Sequence, residues 1–119
     1  MIESDDGIWL FVEEMFYASQ RGHLSAMKYD SESTQFGPPE VILKRDYHLS
    51  YPNVFEQDGR FWLIPETSEN RQVELYVADR LPGPWNLESV LMTDVNAVDA
   101  TLHFDGRHWW MFCGIAERE

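Results

Sequence analysis

His48-Leu49-Ser50-Tyr51-Pro52-Asn53-Val54-Phe55-Glu56-Gln57-Asp58-Gly59-Arg60-Phe61-Trp62-Leu63-Ile64-Pro65-Glu66-Thr67 reads as strand, turn, strand. The Asp58-Gly59 pair carries that reading, because both residues tolerate the positive φ that a two-residue type I′ hairpin turn demands. The unit recurs. Asp-Gly stands again at Asp6-Gly7 and Asp105-Gly106, so the three copies lie roughly 50 residues apart. Each is followed by an aromatic-rich strand, at 8–14, 60–66 and 107–113, and the last two are preceded by matching strands at 49–55 and 98–104. Further strands are expected at 22–29, 40–43, 73–78 and 87–91, about nine in all. No stretch of ten or more residues has the helical period.

Four strands per roughly 45–50 residues is the period of a β-propeller blade. The expected fold is therefore all-β, built of antiparallel propeller-like blades, about 2 to 2.5 per chain. Residues 1–47 form an incomplete first blade, 48–93 a complete second and 94–119 the start of a third. An ordinary antiparallel sandwich or meander is the competing architecture.

The chain has 119 residues and 14.0 kDa, enough for one modest core, and with 44% hydrophobic and 14% aromatic residues it is not disordered. Nine basic residues against 21 acidic ones give a net charge of −12, which repels nucleic acid and anionic membranes alike. Cys113 is the single cysteine, so no intramolecular disulfide forms, and its bulky neighbours fit an inert thiol. The acidic opening Met1-Ile2-Glu3-Ser4-Asp5-Asp6 is unlike a secretory leader, and the apolar run at 109–116 is under half a membrane span. The chain as given is expected to be soluble and cytoplasmic.

The motif at 48–67, with Val98-Asp99-Ala100-Thr101-Leu102-His103-Phe104-Asp105-Gly106-Arg107-His108-Trp109-Trp110, resembles the propeller domain named for glucosamine inositolphosphorylceramide transferase. That domain is similar to the five-bladed propellers of the arabinanase, xylosidase, invertase and levansucrase glycosidases. The resemblance implies three axial carboxylates: a base or nucleophile Asp in an Ala-Asp-Pro-like strand, a general-acid Glu, and an Asp that sets the acid's pKa. On that pattern Val98-Asp99-Ala100 makes Asp99 the inner carboxylate, with Ala100 where the family has Pro. Glu66 and Glu14, eight residues after their Asp-Gly turns, are candidates for the acid, and Cys113 takes that place in the third unit. The place equivalent to Asp99 in the second unit is Tyr51, which carries no carboxylate. His48 beside it and Trp62 as a sugar-stacking aromatic complete the binding candidates, although most tryptophans are expected to pack between blades.

The histidine spacings match no zinc pattern, and Asp94-Val95-Asn96 lacks the glycine and terminal Glu of a calcium loop. No metal and no cofactor is expected. Trp109 and Trp110 must point to opposite sides of one strand, which leaves one of them in search of a partner. Open sheet edges at both ends invite pairing between copies, so a homo-oligomer that shares blades is expected. Without a full catalytic set, the chain reads as a carbohydrate-binding or interaction module. The alternatives are a glycosidase or glycosyl-transfer enzyme completed by oligomerisation, and a structural self-assembling protein.

Overall fold

The turns set the architecture. In the computed structural model, which describes residues 1–116, every hairpin is antiparallel and the strands fall into three sheets. The first holds β1 (Ile2–Ser4), β2 (Gly7–Phe16) and β3 (Arg21–Asp30), with β4 (Gln35–Phe36) and β5 (Glu40–Leu43) both pairing β3. The second runs β6 (Ser50–Gln57), β7 (Arg60–Glu66), β8 (Gln72–Ala78), β9 (Asn86–Thr93) in chain order, with a 3₁₀ turn at Ser68–Asn70. The third is the pair β10 (Ala97–Phe104) and β11 (Trp109–Ile115). No helix among the described residues is long and apolar enough to cross a membrane.

The three Asp-Gly pairs do not make the same turn. Gln57 pairs with Arg60, and Asp58 and Gly59 have φ of 55° and 74°, as the sequence predicts. In the first sheet Ser4 pairs with Gly7, so the turn is Asp5-Asp6 and a short strand precedes it, where none is expected. In the third, Phe104 pairs with Trp109 across a four-residue loop. There the Asp105 carboxylate accepts the backbone N–H groups of His108 and Arg107 and the Trp110 indole N–H, which hold the carboxyl down at about 2.

The first turn changes the alignment of the repeats. Counted from the first residue after each turn, Trp9 matches Trp62, Phe11 matches Ile64 and Glu13 matches Glu66. Packing agrees. Trp9 and Phe11 turn toward the second sheet, Phe11 meeting Trp85 edge-on at 6.1 Å, while Ile64 turns toward the third sheet. The opposite face of β7, Phe61 and Leu63, closes the first core together with Leu24, Ala26, Leu43 and Tyr76. Each fully buried Leu, such as Leu24 or Leu63, contributes roughly 1.5–3 kcal/mol by leaving water.

Between the second and third sheets lies a smaller core of Ile64, Val73, Ala97 and Ala100, with half-buried Met111 and Cys113 against it. Trp109 packs on Phe55 and Phe104, ring centroids 4.4 and 5.0 Å away. Its neighbours Trp110 and Phe112 point the other way and are 51% and 62% exposed.

Candidate functional site

Two bulges define the site. The β6–β7 ladder is interrupted between Ser50 and Asn53, and the β10–β11 ladder between Val98 and Thr101. At each interruption one non-glycine residue is left-handed: Tyr51 with φ 43° and Asp99 with φ 52°. That backbone costs a residue bearing a Cβ roughly 1–2 kcal/mol, and a bulge of this kind re-aims a side chain. Tyr51 is 47% exposed, and Asp99 is exposed as well.

Asn53 brings the bulges together. Its Nδ2 donates to the Ala100 carbonyl at 2.6 Å and to the Tyr51 and Ile64 carbonyls at 3.3 Å each. A single amide nitrogen thus touches backbone from both bulges. Glu66 closes the third side, its Oε2 accepting the Asp99 backbone N–H at 3.1 Å and its Oε1 the Ser68 hydroxyl at 3.5 Å. The structure therefore joins Tyr51, Glu66 and Asp99, but the Glu66 carboxylate meets the amide of Asp99.

His48 belongs to the preceding junction. Its Nδ1 accepts the Gly22 backbone N–H at 2.8 Å, so the neutral ring carries its proton on Nε2, which faces Glu13 Oε1 at 3.4 Å. The His48 backbone N–H donates to Glu69 Oε2 at 2.9 Å. The glutamate that reaches the next sheet is therefore Glu13, in the place that Glu66 holds one repeat later. Glu14 lies on the other face of β2 and meets His23 Nε2 at 3.5 Å, away from Asp99 and Glu66. The Asp5-Asp6 turn explains the difference, because a one-residue shift moves every side chain of a strand to its other face. Counting from the turn rather than from Asp-Gly identifies Glu13; Asn53 carries no comparable sequence signal, since its shortest bond is to the Ala100 carbonyl, 47 residues away.

A buried carboxylate supports the loop that carries His48. Glu74, 3% exposed, accepts the hydroxyls of Tyr47 at 2.6 Å and Tyr76 at 3.0 Å and the Asn70 amide at 3.4 Å. Burial, then the bond to Glu74, push the Tyr47 phenol far above its ordinary range, and burial raises Tyr76 too. The Arg45 guanidinium lies 5.3 Å over the Tyr76 ring.

Trp62 is elsewhere. It shares a face of β7 with Glu66 but sits four residues, roughly 13 Å, along the strand. There it lines an apolar cleft of about 400 Å³ between the second and third sheets, with Phe55, Leu75, Leu91, Leu102 and Met111. Among the described residues no three His, Cys, Asp or Glu side chains are grouped as a metal site requires. What the bulges offer a ligand is an exposed tyrosine and an exposed carboxylate on two backbones that the Asn53 amide links, residue types that suit the C–H face and hydroxyls of a sugar.

The family described as "Glucosamine inositolphosphorylceramide transferase 1, N-terminal" matches residues 1–118. The protein named glucosamine inositolphosphorylceramide transferase 1 in Arabidopsis thaliana is 30% identical over 104 residues, 87% of this chain and 14% of that protein. Its namesake in Oryza sativa subsp. indica is 30% identical over 108 residues, 90% of the chain and again 14% of the relative. The chain thus spans about one seventh of the length of these curated relatives. No solved structure matches it. With nearly its whole length matched, the chain belongs to the glucosamine inositolphosphorylceramide transferase 1 N-terminal family.

Proposed function

We propose that this chain is a carbohydrate-binding module made of propeller-like blades, one per sheet, with its ligand site at the paired bulges. The observation that carries the reading is the juxtaposition of two strained, exposed residues, Tyr51 and Asp99, by the Asn53 amide. Kinship with the N-terminal region of a protein named as a glucosamine-transferring enzyme fits a carbohydrate-related role. Tyr51 stacks on the sugar, Asp99 accepts its hydroxyls, and Glu66 fixes the Asp99 backbone.

Binding is favoured over turnover by the direction of Glu66. Hydrolysis of a glycoside needs two carboxyl groups facing each other across the bond to be cut. Here one of them is engaged by the backbone of the other residue. A glycan array together with a panel of chromogenic glycosides separates the readings. Glycan binding that Tyr51→Ala and Asp99→Asn both abolish, without turnover, supports the module. Turnover lost in Asp99→Asn establishes the enzyme instead, and absence of both binding and turnover overturns the carbohydrate reading.

Self-association is a second proposal, favoured by a separate observation. The chain exposes 7724 Å², against roughly 6,700 Å² for a compact monomer of this mass. The excess of about 1,000 Å² is comparable with one side of an ordinary protein interface, and the bare Trp110 and Phe112 face on β11 is where a second copy would seat.

A further inference from the structure

Cations are scarce in this chain, nine against 21 acidic residues, yet three of them share one pocket. Arg21, Lys44 and Arg45 line a pocket of about 260 Å³ at the β2–β3 turn, together with Phe16, Gly22 and His23. Elsewhere Arg60 and Arg71 hold Asp79 and Asp94 at 3.0 and 2.9 Å. Among the described residues no carboxylate lies within salt-bridge distance of the three pocket cations. Arg45 instead donates to the Lys44 carbonyl at 3.0 Å, and the Lys44 ammonium stands 5.7 Å over the Phe16 ring.

The wall behind them is aromatic and polar. Phe16 and His23 stack with centroids 4.9 Å apart, and Phe16 is itself 57% exposed. His23 is 3% exposed, and its Nδ1 is buried without a hydrogen-bond partner among the described residues, while Nε2 faces Glu14. A buried ring nitrogen without a partner is the exception in folded proteins. Three cations without a carboxylate at salt-bridge distance among the described residues, Arg45 also lying over the Tyr76 ring, line one small cavity in a chain of net charge −12, which suits an anion.

We propose that this pocket binds the phosphate group of a small soluble phosphate monoester, with Phe16 flanking the organic remainder. A monoester carries about −1.5 to −2 at neutral pH and three acceptor oxygens, which matches three cations better than the single charge of a carboxylate. Arginine presents a planar fork to such oxygens and lysine a point charge, so both donor types contribute. The site stands apart from the carbohydrate reading, since Asp99, Glu66 and Tyr51 take no part in it.

Calorimetric titration at low ionic strength, with inorganic phosphate, glucose 6-phosphate, glucuronate, glucose and phosphatidic-acid vesicles as probes, tests the proposal. Glucose 6-phosphate is expected to bind about tenfold more tightly than glucuronate or glucose, and Arg21→Gln and Lys44→Gln each to weaken it about tenfold. Both variants lie on the surface, and an unchanged melting temperature establishes that they are folded. Asp99→Asn should leave the binding of inorganic phosphate, which carries no sugar, intact, so this site and the bulge site fail separately. Unaltered affinity in both pocket variants, a preference for glucuronate, or binding confined to vesicles overturns the assignment.

Discussion

Asp99 and Tyr51 each sit in backbone that glycine would occupy without strain. If that strain is kept for ligand binding, removing it should stabilise the fold and cost the function. Asp99→Gly is expected to raise unfolding stability by about 1 kcal/mol while abolishing glycan binding, read by urea denaturation and by the glycan array. A destabilised Asp99→Gly variant would mean that the side chain, and not the backbone, is what the bulge needs. Glu74 lies at the opposite extreme, a buried charge with each oxygen bonded. Tyr47→Phe takes away its shortest donor and should cost about 1–3 kcal/mol. The pH dependence follows from the raised phenol. A group whose folded pKa lies above its unfolded one stabilises fully below the unfolded value, about 10 for tyrosine, and loses that contribution as pH rises beyond it. Wild-type stability should therefore fall above about pH 10, and the fall should be shallower in Tyr47→Phe.

At the scale of elements, the junctions between sheets are narrow. A Cβ on Gly22 would stand 2.5 Å from the Leu49 carbonyl oxygen, 2.7 Å from His48 Cε1 and 3.0 Å from Glu13 Oε1. The first of these is backbone, and the Leu49 N–H already donates to the Gly22 carbonyl at 3.1 Å, so the strand cannot retreat. Gly22→Ala should destabilise by about 1–3 kcal/mol and displace the His48 imidazole, seen as a lower urea midpoint and a changed His48 ring chemical shift in NMR. The strands themselves were legible in the sequence, because aromatic and β-branched runs between turn residues speak locally. Their register in the first sheet was not. Asp5-Asp6 and Asp6-Gly7 are both acceptable turns, and only the packing of Trp9 and Phe11 decides between them. That ambiguity is why counting from Asp6-Gly7 selects Glu14, while Glu13 is the residue that faces His48, and why the short strand β1 carries no signal. Asp99, Glu66 and Tyr51 were legible as neighbours through the family pattern. Asn53, the Glu74 network and the cationic pocket join residues from distant parts of the chain, which no local pattern encodes.

The whole molecule is a slab, 51 × 44 × 21 Å, with a radius of gyration of 14.9 Å against about 13.5 Å for a compact domain of this length. Three sheets laid side by side leave an outer face at each end of the row. If copies associate through the β11 face, the double variant Trp110→Ser with Phe112→Ser should be monomeric where the wild type is not. Sedimentation at micromolar concentration decides it, and a monomeric wild type removes the proposal. Asn53 is one of two clasps between the second and third sheets. Its amide spans the bulges at one end of the strands, and toward the other end Trp109 packs on Phe55 and its indole N–H donates to the Gln57 side chain, with the apolar cleft lined from both sheets beside it. The cleft is thus a buttoned seam, and an apolar guest meets walls whose spacing Asn53 and Trp109 set together.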